Sequence, residues 1–138
     1  MIAVQILPEH ITRAWIDLRP MLERAQAADQ PDAMTLLREG RAQLWAVIDD
    51  DARPIGAVVT QLKPDGRCLL WQGAGRDVRT WIDLFVAAVS AWAREQGCTA
   101  LYGCGRKGWA RLIEPMGFRR VPDIDGRAAW ELQIAGRR

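Results

Sequence analysis

The stretch CLLWQGAGRDVRTWIDLFVAAVSAWAREQGCTALY, residues 68–102, decides the fold. It opens on the apolar run Cys68–Trp71, which reads as a strand. The segment Gln72-Gly73-Ala74-Gly75-Arg76 reads as a small glycine-rich loop, and Asp77 is suited to cap a helix. Val78, Trp81, Ile82, Phe85, Val89, Trp92 and Ala93 then recur at three- and four-residue spacing, one apolar helix face that Gly97 ends. Cys98–Tyr102 is a second apolar run. Two strands joined through a helix are expected to lie parallel and adjacent.

Upstream, Gln43–Ile48 and Ile55–Leu62 read as strands joined by Asp49-Asp50-Asp51 with Pro54. The turn Lys63-Pro64-Asp65-Gly66 leads on into Cys68, so three consecutive strands form an antiparallel meander. Earlier still, Ile2–Leu7 is a short strand ended by Pro8. Ile11, Trp15, Leu18, Leu22 and Ala25 mark an amphipathic helix, and Pro20 predicts a kink or break near Arg19. Gln30-Pro31-Asp32 opens a second helix with Met34, Leu36 and Leu37 on its apolar side and Gly40 as its stop. Downstream, Trp109, Leu112, Ile113 and Met116 give a helical stripe stopped by Gly117. Phe118–Val121 and Ala128–Ile134 form a closing strand pair around the turn Pro122–Gly126.

The 138 residues suit one domain spanning 1–138, and 49% hydrophobic with 26% charged residues excludes a disordered chain. No apolar run approaches the roughly 20 residues of a membrane helix, and no signal peptide is visible. A formal charge of +2 is too small to imply nucleic acid. Cys68, Cys98 and Cys104 lack metal-ligand spacing and suit buried apolar positions in a reducing cytoplasm. The seven tryptophans, spread along the chain, read first as a bulky core.

The order strand, two helices, three meander strands, glycine loop, long helix, strand, short helix, two strands covers nearly the whole chain. It resembles the GNAT superfamily of acyl-CoA-dependent N-acyltransferases. The residues that carry the resemblance are Gln72-Gly73-Ala74-Gly75 ahead of the long helix and the segment Arg106 to Phe118 ending in Gly117-Phe118. Gly97-Cys98 with Gly105-Arg106-Lys107-Gly108-Trp109 resembles, more narrowly, small GNAT-like proteins of tailed phages and prophages. The resemblance implies an α/β (α+β) fold: a mixed, mostly antiparallel twisted sheet of about six to seven strands with helices on both faces. It also implies acetyl-CoA as cosubstrate, its pantetheine arm between two splayed strands and its pyrophosphate at the start of the long helix. A helix N-terminus offers free N–H groups and a favourable dipole to such an anion.

On this reading Trp71, Gln72, Gly73, Gly75, Arg76, Arg79, Arg106 and Trp109 bind the cosubstrate, with Lys107 and Arg111 adding positive charge near the same strand ends. Each cation taken alone is equally a solvated surface charge, and the glycine loop equally a plain strand-to-helix turn. Asp77 stands where the family has Gly or Ala, and Arg106, Trp109 and Ile113 stand where many members carry Asn, a small residue and the Tyr that protonates the leaving thiolate. Tyr102, the single tyrosine, is the remaining candidate acid, with a half-buried strand residue as the plainer explanation. Cys104 has no histidine beside it, since the single histidine, His10, belongs to the first helix; Asp17 and Glu23 there are candidates to contact an amine. No metal site is expected.

Two functions follow. The first is an acetyl-CoA-dependent N-acetyltransferase that brings an unidentified amine acceptor directly onto the thioester. The alternative is a catalytically inactive GNAT-fold binding or virion-assembly module with a protein partner. A cytoplasmic location goes with the first and virion association with the second; a homodimer fits either, and neither calls for a membrane.

Overall fold

The computed structural model describes residues 1–25 and 33–135, so the expected helix start at Gln30-Pro31-Asp32 lies outside the described residues. The chain forms β1 (Ile2–Gln5), α1 (Ile11–Ala25), α2 (Ala33–Arg38), β2 (Gln43–Ile48), β3 (Pro54–Leu62), β4 (Arg67–Gly75), α3 (Val78–Glu95), β5 (Ala100–Gly105), α4 (Ala110–Ile113), β6 (Arg119–Ile124) and β7 (Arg127–Gln133). The seven strands make one sheet in the order β1-β2-β3-β4-β5-β7-β6. Every neighbouring pair is antiparallel except β4 and β5. That parallel pair follows from its connection, because a chain crossing back through a helix re-enters the sheet in the direction it left.

Alternating side chains send two apolar layers to opposite faces of the sheet. On one face, Trp45, Val47, Val58, Cys68, Leu101 and Trp130 pack against Trp81, Phe85 and Val89 of α3, with Trp109 and Ile113 at the margin. Three edge-to-face aromatic contacts, Trp45–Phe85, Trp45–Trp92 and Trp81–Phe85, knit this layer. On the other face, Leu18, Met21 and Leu22 of α1 and Leu36 and Leu37 of α2 bury Leu44, Ala46, Ala57 and Val59. Helices therefore cover both faces.

Two expectations are corrected. Of the kink or break expected near Arg19, the break is absent: α1 runs through Pro20 to Ala25. Leu18 before the proline and Met21 and Leu22 after it are all buried in the same layer, which holds the helix together across the missing N–H. The short helix expected over Trp109–Met116 is one turn of α-helix, α4, between two 3-10 turns, Lys107–Trp109 and Glu114–Met116. Pro115, in the first turn of the second 3-10 segment, has no N–H with which to extend α4.

Candidate active site

The parallel strands β4 and β5 are joined over only three residue pairs, Arg67↔Ala100, Cys68↔Leu101 and Leu69↔Tyr102. Both strands continue past that point. β4 runs on to Gly75 paired with β3 alone, and β5 runs on to Gly105 paired with β7 alone. The divergence begins at Leu70 and Gly103, where a Cβ on the glycine would meet the Leu70 carbonyl oxygen at 3.2 Å. The result is a gap in the β4–β5 ladder that begins beyond Leu69/Tyr102 and runs toward Gly75 and Gly105. β4 is irregular on this stretch: its register on β3 shifts between Val59 and Thr60, which leaves Trp71 as an extra residue between the paired Leu70 and Gln72.

The segment Gln72–Gly75 is thus the tail of β4 and not the loop expected from its glycines. Gly75 faces Gly56 across the β3–β4 ladder, and a Cβ there would stand 2.4 Å from the Ile55 carbonyl oxygen. The indole of Trp81 lies over both glycines, within 2.7 Å of where a Gly56 Cβ would be and 3.0 Å of a Gly75 Cβ. Gly75 is therefore required by packing. Gly73 is less constrained, since its Cβ would meet Val58 at an ordinary 3.5 Å.

Between β4 and α3 the chain turns through Arg76 and Asp77. The Arg76 amide donates to Ile55 O at 2.8 Å, and its carbonyl accepts the Trp81 indole N–H at 2.8 Å. Asp77 adopts the left-handed region, φ 49°, and its carboxylate makes no capping bond, so the expected side-chain N-cap is absent. The left-handed backbone supplies the reason: it turns the Asp77 carbonyl to the helix, where the amide and hydroxyl of Thr80 both donate to it at 2.8 and 2.7 Å. Among the described residues, the amides of Val78 and Arg79 have no hydrogen-bond acceptor. Arg76 and Arg79 are exposed and form no ion pair among the described residues.

Across the gap, Arg106 and Lys107 follow directly on β5, both exposed, and Trp109 folds its ring against Gly105, where an added Cβ would meet Cδ1 at 3.3 Å. Because β4 and β5 are parallel, Arg76, Arg79, Arg106 and Lys107 all follow strand ends at the same edge of the sheet. Ile113 is half-buried against the α3-side layer.

Tyr102 sits at the closed end of the gap, 7% exposed. The Arg67 guanidinium covers its ring at 4.0 Å from the centroid and pairs with Asp65 at 2.8 Å and Glu131 at 3.6 Å. Burial pushes the phenol above its usual range, and the Arg67 charge pulls the other way.

Solved structures share this fold. Tetrahymena GCN5 superposes with a TM-score of 0.70 at 18% identity, over 90% of this chain and 88% of that one. An aminoglycoside 6′-acetyltransferase type Ii superposes at 0.77 and 13% identity over the whole of both chains. The ribosomal-protein-S18-alanine N-acetyltransferase from Escherichia coli superposes at 0.65 and 16% identity, over 98% and 94% of the two chains. The fold is that of the GNAT acyltransferases. No protein-family model and no curated protein matches the chain by sequence.

A cavity of about 420 Å³ is lined by Gln5 at the end of β1, Leu7 and His10 in the connection that follows, and Arg13 and Asp17 of α1, among others. It is open to solvent. Asp17 belongs to its lining. Among the described residues no three His, Cys, Asp or Glu side chains gather as metal ligands, and no helix is long and apolar enough to cross a membrane. Sequence reasoning missed Arg67, whose partner Tyr102 lies 35 residues on, and Gly56, whose need for a small residue is set by Trp81 from another element.

Proposed function

We propose that this chain is an acetyl-CoA-dependent N-acetyltransferase. The observation that carries the reading is the parallel β4/β5 pair that stops after three residue pairs while both strands run on. Two strands that part in this way leave backbone groups without a partner strand, able to bind an extended thioester arm between them. The start of α3 suits the pyrophosphate: the Val78 and Arg79 amides have no acceptor among the described residues, and Arg76 and Arg79 bring positive charge. Asp77 is the opposing feature, but its carboxylate makes no capping bond and so does not compete through one.

In this reading the acceptor amine attacks the thioester carbonyl directly. A C–N bond forms, the C–S bond breaks, the amine loses a proton to solvent, and the departing thiolate takes one up. Most of the rate comes from holding the two reactants together and from a backbone N–H at the β4 irregularity facing the carbonyl oxygen. Tyr102 is the candidate acid, kept protonated by its burial.

The experiment is a calorimetric titration of the full chain with acetyl-CoA. Micromolar binding that Arg76→Ala/Arg79→Ala weakens about tenfold supports the reading. No heat at millimolar ligand rejects it in favour of the second reading, a non-catalytic module, virion-associated or otherwise, that binds a protein partner. That reading draws on Ile113, which packs on the core where the resembling enzymes carry a tyrosine.

A further inference from the structure

Trp81 sits in the first turn of α3, 1% exposed, two residues past Arg79. Three sets of contacts converge on it. Its N–H donates to the Arg76 carbonyl at 2.8 Å. Its six-membered ring covers Gly56 and Gly75, both of which lack the Cβ that would collide with it. Its outer edge meets Phe85 at 6.4 Å between centroids, edge to face, one turn further along α3.

The consequence is a turn with every inward group satisfied by something rigid. The Arg76 amide is tied to β3 through Ile55 O, the Arg76 carbonyl to α3 through the indole, and the Asp77 carbonyl to Thr80. A peptide unit is planar, so fixing the Arg76 carbonyl fixes the Asp77 amide, and the Asp77 carbonyl held by Thr80 fixes the Val78 amide in the next plane. Without the indole N–H, the Arg76–Asp77 peptide could rotate and turn its carbonyl toward the ligand, placing a partial negative charge where the pyrophosphate belongs. A left-handed Asp77 makes that rotation easy, because an isolated left-handed residue adjoins turn conformations related by a peptide flip.

We infer that Trp81 is the positioning residue of the anion-binding turn: its indole N–H holds the Arg76 carbonyl away from the ligand, so that the free amides of Val78 and Arg79 meet the coenzyme A pyrophosphate. This rests on the acetyl-CoA reading above. It goes further in making affinity depend on a buried side chain that touches no ligand.

The test compares the wild-type chain with Trp81→Phe, which keeps an aromatic ring over the glycines and removes the donor. A second variant carries 3-benzothienylalanine at position 81, which replaces the N–H by sulfur at nearly constant shape and keeps the test decisive if Trp81→Phe folds poorly. Coenzyme A is titrated by calorimetry, and amide hydrogen exchange is followed across residues 76–95 with and without it. The expected result is a dissociation constant about tenfold weaker in both variants. Coenzyme A should slow exchange at Val78 and Arg79 in the wild type alone, while exchange from Phe85 to Glu95 stays unchanged. A merely structural tryptophan would instead lower the melting temperature and speed exchange along all of α3 without changing affinity. Wild-type binding with equal affinity in the variants overturns the inference and leaves the acetyl-CoA reading standing. Should the wild type bind no coenzyme A, that reading falls, and the inference falls with it.

Discussion

The closed and open ends of the β4/β5 pair are built by different means. At the closed end, Cys68 and Leu101 are fully buried, Tyr102 nearly so, and the charged residues around them are paired: Arg67 with Asp65 and Glu131. At the open end the side chains that follow the strands, Arg76, Arg79, Arg106 and Lys107, are exposed cations with no ion-pair partner among the described residues. The backbone at Arg76 is nonetheless held in place, through the packing of Gly56, Gly75 and Trp81 and the bonds to Ile55 O and the Trp81 indole. The contrast teaches that a surface can keep its charges free only if its main chain is fixed by something other than those charges.

The comparison breaks most visibly at Gly75. Gly75→Ala puts a Cβ against two backbone atoms, Ile55 O at 2.4 Å and Gly56 Cα at 2.7 Å, neither of which can rotate away. A loss of about 3 kcal/mol in urea unfolding is expected, the upper part of the overpacking range. A loss below about 1 kcal/mol would mean that the open end is softer than described. Next in size is Tyr102→Phe at the closed end. With acetyl transfer to an amine found by screening, kcat should fall about a hundredfold with coenzyme A affinity unchanged. An unchanged kcat would reduce Tyr102 to a packing residue.

Cys68 sharpens the comparison through pH. Burial pushes its thiol from the ordinary 9.0 up to about 12. Between those values the folded chain keeps a proton that the unfolded chain releases, so stability is full below pH 9 and is lost as pH rises. The slope from this group is about 1.4 kcal/mol per pH unit. Urea unfolding of Cys68→Ala over the same range should be flatter by that slope, whatever the variant loses at neutral pH. The smallest effect belongs to Gly105→Ala, where the added methyl meets only the edge of the half-buried Trp109 ring at 3.3 Å. A change within about 0.5 kcal/mol is expected, because a side chain at the surface can give way.

Much of this was legible before any coordinates. The apolar face through Trp81, Phe85 and Val89 predicts α3, and Gln43–Ile48 has the bounds of β2. The parallel neighbours Cys68–Trp71 and Cys98–Tyr102 lie in β4 and β5. What escaped depends on partners distant in sequence. Gly73 and Gly75 read as a loop because glycine is locally a turn signal, whereas Gly75 answers to Trp81 and Gly56 in other elements. Asp77 reads as a cap by residue type, but capping needs an extended backbone, and its φ of 49° follows from how β4 is anchored on β3. Pro20 reads as a breaker because the burial on either side of it is a property of the packed helix.

Those three residue pairs between β4 and β5 also set how the molecule responds to force. Among the described residues they are the strand pairing between β1–β4 and β5–β7, extended by the Thr99 amide donating to Gly66 O at 2.9 Å, with α3 and its buried face bridging the seam on one side. A load applied across the sheet meets a few parallel rungs there and many antiparallel ones elsewhere, so the protein should part first along the line that opens its own cleft.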